Sequence, residues 1–453
     1  MELKKNDVID LDVTGYTAEG SGVGRYRNIA VFVPMAAQGD KLRVRILKTA
    51  KTYAFGKIEQ ILTPSADRTN PYCAQFAQCG GCVYRHIGYD AELRAKQQRV
   101  RDAMERIGGF SALPMNPIVG AEEPDHYRNK AQLPIGKAAD GSIVLGFYAN
   151  HSHRIVPCDD CALQPSVFTA AVKAFRQWAA SSGETVYDEA TGKGTLRHLY
   201  LRQARATGEV AVCVVVNGNG LHHEQELAEM LRKNVPGLKS VIINMNRENT
   251  NVVLGRKCRT VWGSDTITDI LCGLRFHISP LSFYQVNHDQ AERLYMLAAE
   301  YAGLTGGETL LDLYCGTGTI GLSMAKKAGK VIGVEIVEQA VEDARRNAAL
   351  NEISNAEFLC ADAAEAAVLL KDRGVKPNVI ILDPPRKGCE ESLIDTVAQM
   401  APEKVVYVSC DPATLARDLK IFAQKGYEVR QLTPVDMFPR TQHVETVVLI
   451  TRD

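Results

Sequence analysis

The spacing of apolar residues divides the chain into three stretches. In residues 1–61, Val8-Ile9-Asp10-Leu11-Asp12-Val13 and Lys41-Leu42-Arg43-Val44-Arg45-Ile46-Leu47 alternate apolar with polar. That is the period of a strand with one wet face. Ile29-Ala30-Val31-Phe32-Val33-Pro34 is a third strand, and Gly15, Gly20, Gly22, Gly24 and Gly39 punctuate between them. Short strands parted by glycine predict a small antiparallel barrel. Residues 62–275 mix periods. A helical pattern runs from Ala91 to Ile107 and stops at Gly108-Gly109. Strands over Ser142–Phe147, Glu209–Val216 and Ser240–Ile243 then mingle with helices over Ser166–Ala180 and Glu224–Val235, which predicts an α+β domain. From residue 276 the chain turns regular. Ser279 as N-cap and Pro280 at the first helical position predict a helix. Strands follow at Thr309–Leu313, Lys330–Val334, Ala356–Cys360, Val379–Leu382, Lys404–Val408, Tyr427–Pro434 and Glu445–Ile450, with helices between. Such alternation predicts a doubly wound parallel sheet.

A length of 453 residues agrees with two or three domains. Composition (45% apolar, 23% charged) is that of an ordinary globular protein, and the net charge is zero. Any attraction to nucleic acid must therefore be local. The barrel region carries ten Lys and Arg against seven Asp and Glu. Arg25, Arg27, Lys41, Arg43, Arg45, Lys48 and Lys51 can follow a phosphate backbone, with Tyr16, Tyr26 and Tyr53 to stack on bases. A merely solvated sheet face explains them equally well. His126-Tyr127-Arg128-Asn129-Lys130 offers the same two readings. No signal peptide opens the chain and no apolar run is long enough for a bilayer, so a cytoplasmic protein without membrane contact is expected.

Twelve cysteines fall unevenly. Cys73, Cys79 and Cys82 crowd one loop, with Gly80 and Gly81 between the last two, and Cys158 and Cys161 form a pair. In a reducing compartment such crowding points to metal, not disulfides. Soft ligands restrict the metal to zinc or iron–sulfur. Zinc would use the pairs Cys79/Cys82 and Cys158/Cys161; iron–sulfur would use Cys73, Cys79, Cys82 and one of the later two. Spacing leaves both open.

Gly316, Gly318 and Gly321 follow the strand Leu310-Leu311-Asp312-Leu313 in a G-x-G-x-x-G pattern. Asp312 within that strand would repel a pyrophosphate. It suits instead the cationic amino acid end of S-adenosylmethionine, with Glu335 on the ribose hydroxyls and Asp362 near the adenine amino group. Asp383-Pro384-Pro385-Arg386 closes the fourth strand. Amine N-methylating enzymes carry an aromatic where Arg386 stands, so that chemistry is disfavoured. Val405-Val406-Tyr407-Val408-Ser409-Cys410-Asp411-Pro412 is a buried strand stopped by proline. Cys410 is thereby placed at the carboxyl edge of the sheet, where ligands of open α/β folds bind.

The glycine turn, Asp383-Pro384-Pro385-Arg386, Ser409-Cys410-Asp411-Pro412 and His443-Val444-Glu445-Thr446-Val447 occur in one order. Together they resemble the RNA uracil-5-methyltransferase family, in the form with an N-terminal TRAM barrel and a four-cysteine cluster that acts on 23S ribosomal RNA. The resemblance spans essentially the whole chain. It implies a Rossmann-like class I methyltransferase domain over 276–453, a TRAM/OB-like barrel over 1–61, and a central domain with the cysteine loop over 62–275. It implies Cys410 as nucleophile and Glu445 as base, with Gln285, Tyr314, Glu335 and Asp383 around the methyl donor. It further implies a 4Fe-4S cluster on Cys73, Cys79, Cys82 and Cys161. The product would be 5-methyluridine, the partner ribosomal RNA, with no obligate protein partner. A thiolate is the reactive form of cysteine, so a depressed pKa is expected for Cys410. Phe283 or His443 is expected to stack on the target base. A transfer RNA substrate, and a non-catalytic RNA-binding iron–sulfur protein with a vestigial methyltransferase fold, are the competing readings. A 5-methylcytosine enzyme would carry Asp-Ala-Pro-Cys at residues 383–386.

Overall fold

The structure is a computed structural model that describes residues 3–452. Five strands, β1 (Val8–Tyr16), β2 (Gly22–Tyr26), β3 (Ile29–Val33), β4 (Lys41–Thr49) and β5 (Tyr53–Thr63), close a barrel in the order β1-β2-β3-β5-β4. Its core is Leu11, Val13, Val31, Val33, Leu42, Val44 and Ile46, the inward half of each alternating strand. One junction differs from the expected antiparallel barrel: β3 and β5 pair in parallel.

The central sheet has seven strands: β6 (Lys130–Lys137), β7 (Ile143–Tyr148), β8 (Ile155–Pro157), β9 (Leu196–Gln203), β10 (Val210–Val216), β11 (Leu238–Met245) and β12 (Lys257–Gly263). Their order is β12-β11-β10-β9-β6-β7-β8, with only β10 and β11 parallel. Helices α2 (Ser166–Ser181) and α3 (Glu224–Asn234) cover one face, packing Phe175, Trp178 and Leu227 on Leu133, Leu199, Leu201 and Val212. The other face sets a small apolar cluster, Tyr200, Cys213 and Ile242, beside buried polar side chains such as His198 and Arg202, a difference taken up below.

A hairpin, β13 (Ile267–Leu271) and β14 (Leu274–Ile278), leads to the C-terminal sheet. The helix expected at Ser279-Pro280 is absent. Ser279 and Ser282 hydroxyls instead bond to each other and to local amides in a tight turn, and helix α4 (His288–Ala302) begins under an Asn287 cap. The sheet comprises β15 (Thr309–Leu313), β16 (Lys330–Glu335), β17 (Ala356–Cys360), β18 (Val379–Leu382), β19 (Lys404–Ser409), β20 (Tyr427–Val435) and β21 (Glu445–Arg452). They lie in the order β17-β16-β15-β18-β19-β21-β20. All five strands from β15 to β19 run parallel, whereas β21 runs antiparallel to both its neighbours. The sheet is thus mixed at one edge, not wholly parallel. Helices α5 (Thr319–Met324), α6 (Glu338–Leu350), α7 (Ala363–Asp372), α8 (Glu391–Met400) and α9 (Pro412–Gln424) cover its two sides.

Helix α1 (Tyr89–Ala103), with the π-turn that follows it, packs on this C-terminal sheet: Val100, Ala103 and Met104 share a core with Leu415, Leu419 and Leu432. Its Lys96 is 1% exposed, and the ammonium donates to Glu92 (2.7 Å), Asp436 (2.7 Å) and the Phe438 carbonyl (3.1 Å). Tyr89 donates to the other Asp436 oxygen at 2.8 Å. A buried charge with partners on every side is tolerable where an isolated one is not. The network fastens α1 to the strap of residues 436–444 that leads into β21. No helix among the described residues is long and apolar enough to cross a membrane.

Candidate active site

The sheet order reverses direction between β15 and β18, and the ends of those strands are the natural mouth of a ligand crevice. After β15, Tyr314 adopts φ 68°, a left-handed conformation unusual for an aromatic, followed by Gly316 (φ 56°) and Gly318 (φ 82°). This chain reversal releases the backbone into α5. A Cβ on Gly316 would meet nothing within 4 Å, so the turn borders open space. Glu335 at the end of β16 accepts the Gly316 amide at 3.1 Å through one oxygen and the Val337 amide at 2.9 Å through the other. Asp362 caps α7 with one oxygen, accepting from Ala364 at 2.9 Å. The residue is exposed. Asp312 is placed differently from the expectation. It is 1% exposed, and one oxygen accepts the Gly321 amide at 2.9 Å beneath the turn. Its other oxygen is buried with no partner, and burial pushes its pKa up to about 8. Gln285 is half-buried in the loop before α4; its carbonyl receives Asn129 at 3.0 Å. Phe283 in the same loop is 70% exposed.

On the other side of the crevice the β19–β21 register pairs Ser409 with Thr446. One step further along both strands stand Cys410 and Glu445. The two parallel and antiparallel strands thus bring residues 35 positions apart to one rim. Asp411 caps α9 through the Ala413 and Thr414 amides, and Pro412 begins the helix, so Cys410 is fixed between a strand end and a helix start. The thiol is not activated as expected. Burial, then the nearby Glu445 and Asp383 carboxylates, push Cys410 up to about 12, against the opposing pull of Arg386 and a backbone hydrogen bond. Burial followed by Asp383 raises Glu445 to about 8, and burial raises Asp383 to about 7. The protein alone therefore presents a protonated thiol among reluctant carboxylates, because it holds three acids and one facing cation. His443 is held down to about 4 by burial and by Arg386, Arg99, Lys96 and Arg128, and it packs edge-on against Phe438 at 6.0 Å. Sequence reasoning passed over Arg386 except as a missing aromatic; its position beside a nucleophile candidate was the available signal.

Cys73, Cys79, Cys82, Cys158 and Cys161 line a single cavity of about 440 Å³, shared with Arg386 and His443. Arg85 lies against Cys82, and a hydrogen bond between Cys158 and Cys161 lowers the pKa of Cys161 while raising that of Cys158. The donor set suits a thiolate-bound metal in kind. Among the described residues no three His, Cys, Asp or Glu side chains are gathered as a metal site. The loop is nonetheless tied to the catalytic rim, since the Val83 and Tyr84 amides both donate to the Arg440 carbonyl, at 2.7 and 3.2 Å.

On the barrel, the expected RNA-facing residues divide. Arg43 and Arg45 are paired with Asp10 and Glu59, and Tyr16 donates no free face because it bonds the Gln38 amide and packs edge-on against Tyr84. Tyr53 remains exposed, grouped with Phe32 and Phe55.

Residues 88–453 match the family model described as tRNA (Uracil-5-)-methyltransferase, and residues 2–58 match the TRAM domain. The chain belongs to the tRNA (uracil-5-)-methyltransferase family. Two curated relatives of this RNA uracil-5-methyltransferase chain, each named an uncharacterized RNA methyltransferase, come from Clostridium tetani and Halalkalibacterium halodurans. The first is 44% identical over 449 residues, covering 99% of this chain and 97% of the relative. The second is 43% identical over 448 residues, covering 99% and 98%. Among solved structures, the tRNA (uracil-54, C5)-methyltransferase of Pyrococcus abyssi, in complex with S-adenosyl-L-homocysteine, superposes with a TM-score of 0.79 at 28% identity. It covers 98% of this chain and 99% of that one. The fold is that of a class I S-adenosylmethionine-dependent methyltransferase preceded by a TRAM barrel.

Proposed function

We propose that the protein transfers a methyl group from S-adenosylmethionine to carbon 5 of a uridine in 23S ribosomal RNA through a covalent Cys410 adduct. One observation carries this reading: the β19–β21 register sets Cys410 beside Glu445 at the edge where the glycine turn also opens. Carbon 5 of uracil is a weak nucleophile. Addition of the Cys410 thiolate at carbon 6 pushes electrons to carbon 5, which takes the methyl from the sulfonium and releases S-adenosylhomocysteine. Carbon 5 then holds both a methyl and a proton. The Glu445 carboxylate removes that proton, and the thiolate leaves as the 5,6 double bond re-forms. The donor also answers the raised Cys410 pKa, since a positive sulfonium among Asp383, Glu445 and Cys410 favours their charged forms.

In this reading Gln285, Tyr314, Glu335, Asp362 and Asp383 border the donor. The exposure of Asp362 and the open space at Gly316 support that placement. Phe283, exposed on the rim, stacks on the everted base. The barrel (1–61) grips RNA, the central unit (62–275) presents it, and the C-terminal unit (276–453) performs the transfer. A 4Fe-4S cluster on Cys73, Cys79, Cys82 and Cys161 completes the proposal, in a cytoplasmic enzyme. The five thiols sharing one cavity favour it. An anaerobic preparation should contain about four iron and four acid-labile sulfide per chain; stoichiometric zinc in a colourless protein would remove the cluster while leaving the methylation chemistry standing.

RNA containing 5-fluorouridine tests the mechanism. Fluorine cannot leave carbon 5 as a proton does, so a dead-end conjugate at Cys410 is expected by peptide mass spectrometry. Methylation of normal RNA without any such conjugate would overturn the covalent route. A transfer RNA substrate is the second reading, favoured by the Pyrococcus abyssi enzyme, whose likeness includes the barrel. Mapping 5-methyluridine in ribosomal and transfer RNA from a deletion strain separates the two.

A further inference from the structure

The central sheet has an apolar face under α2 and α3 and a second face that carries cationic side chains beside a small apolar cluster of Tyr200, Cys213 and Ile242. On that second face Lys130 of β6 stands directly opposite Arg202 of β9, and Gln132 opposite Tyr200. Arg128 precedes Lys130 by two residues and so shares its side of the extended chain. Like charges directly across an antiparallel pair destabilise it. Here the repulsion is not relieved: none of Arg128, Lys130 and Arg202 has a carboxylate within ion-pair distance among the described residues. Burial, Arg202 and Arg128 together pull Lys130 down to about 8. Arg202 is 2% exposed, donates one bond to the Ser282 carbonyl at 3.3 Å, and leaves its Nε unpartnered. The neighbouring Tyr200 hydroxyl and His198 Nδ1, on the same face, are buried and unpartnered too. A fold maintains such an arrangement when something else supplies the missing anion and acceptors.

Place decides what that something is. Arg128, Lys130 and Gln132 line the cavity that holds the five thiols at one side and Arg386, Gln442 and His443, near Cys410, among its other walls. Ser282, which receives Arg202, is one residue from Phe283. Resting on the RNA-methyltransferase reading above, we propose that Lys130 and Arg128, with the buried Arg202 behind them, form a subsite for the backbone phosphates next to the target uridine. The phosphodiester supplies the negative charge that the β6–β9 pair lacks. It holds the strand where the base is to be turned toward Cys410.

The test uses the full-length protein and an unmodified ribosomal RNA transcript, with binding measured from low to moderate salt. Lys130→Gln should weaken RNA binding roughly tenfold and make the slope of log K against log salt shallower by about 1, as for loss of one phosphate contact. Lys130→Arg should restore both. Because the substitution removes a repelled cation, Lys130→Gln should melt no lower than wild type, and its calorimetric affinity for S-adenosylhomocysteine should be unchanged. An unaltered salt slope in folded Lys130→Gln protein overturns the subsite, as does a lower melting temperature accompanied by loss of S-adenosylhomocysteine binding. Failure of the wild-type protein to bind any RNA would instead strike the underlying reading.

Discussion

At the scale of single residues the site is a group of acids awaiting positive charge. Glu445, raised to about 8, holds its proton through neutral pH in the free protein, and only its carboxylate can take the proton from carbon 5. Resolution of a preformed RNA adduct should therefore speed up as pH rises through about 8, read as loss of the gel-shifted conjugate with time. Glu445→Gln should carry out methyl transfer once and then stall, accumulating that conjugate on denaturing gels. The same raised pKa has a stability sign. The folded state binds a proton that the unfolded chain, titrating near the ordinary 4.5 of a glutamate, releases, so this group's contribution is retained below about 4.5 and lost as pH rises to about 8. Glu445→Gln does not titrate. Its melting temperature relative to wild type should thus climb between pH 5 and pH 8.5, by about 1–3 °C, in differential scanning fluorimetry. Sequence motifs indicated which residues gather here, yet they mispredicted the state of Cys410. A thiol's ionisation depends on how many carboxylates face it, and the chain order of Asp383, Cys410 and Glu445 does not reveal that they converge.

Elements differ in how plainly they can be read. The strands of the C-terminal sheet, such as β15, β18 and β19, are buried on both faces, so uninterrupted apolar runs marked them. β2 and β9 were not anticipated. β2 is Gly22-Val23-Gly24-Arg25-Tyr26, poor in strand formers, because a Cβ at Gly24 would lie 2.2 Å from the Asp12 carbonyl across the barrel. β9 carries Arg197, His198, Tyr200 and Arg202 into burial, against the usual preference. Ser279-Pro280 imitated a helix start, but the serine hydroxyl had a nearer partner in Ser282. Helix α1 shows an element acting at a distance. Its Lys96 secures the strap before Glu445, and Arg99 donates to the Gln442 carbonyl at 2.6 Å. Lys96→Met strands Glu92 and Asp436 as buried acids. It should lower local stability by about 3–5 kcal/mol, seen as faster amide hydrogen exchange in residues 436–444.

For the whole molecule, the three-part plan was legible because its hydrophobic period changes from two to mixed to strand–helix alternation. The contacts between parts were not. Tyr16 against Tyr84, and the Val83 and Tyr84 amides on Arg440, join barrel, cysteine loop and catalytic strap, and no local pattern encodes them. Those contacts predict that damage travels. Cys79→Ser and Cys82→Ser proteins should lose methyl transfer in larger proportion than S-adenosylhomocysteine affinity, measured by tritium transfer and calorimetry, because the loop bears on the strap and not on the glycine turn.

The placement of β21 carries a further consequence. It follows β20 in the chain, yet it lies between β19 and β20 and not at the margin of the sheet. Neither β19 nor β20 can complete its ladder on that side until β21 has been synthesised, so synthesis of both precedes their joining. A chain that stops before Glu445 carries Cys410 at the end of a strand whose neighbour is missing.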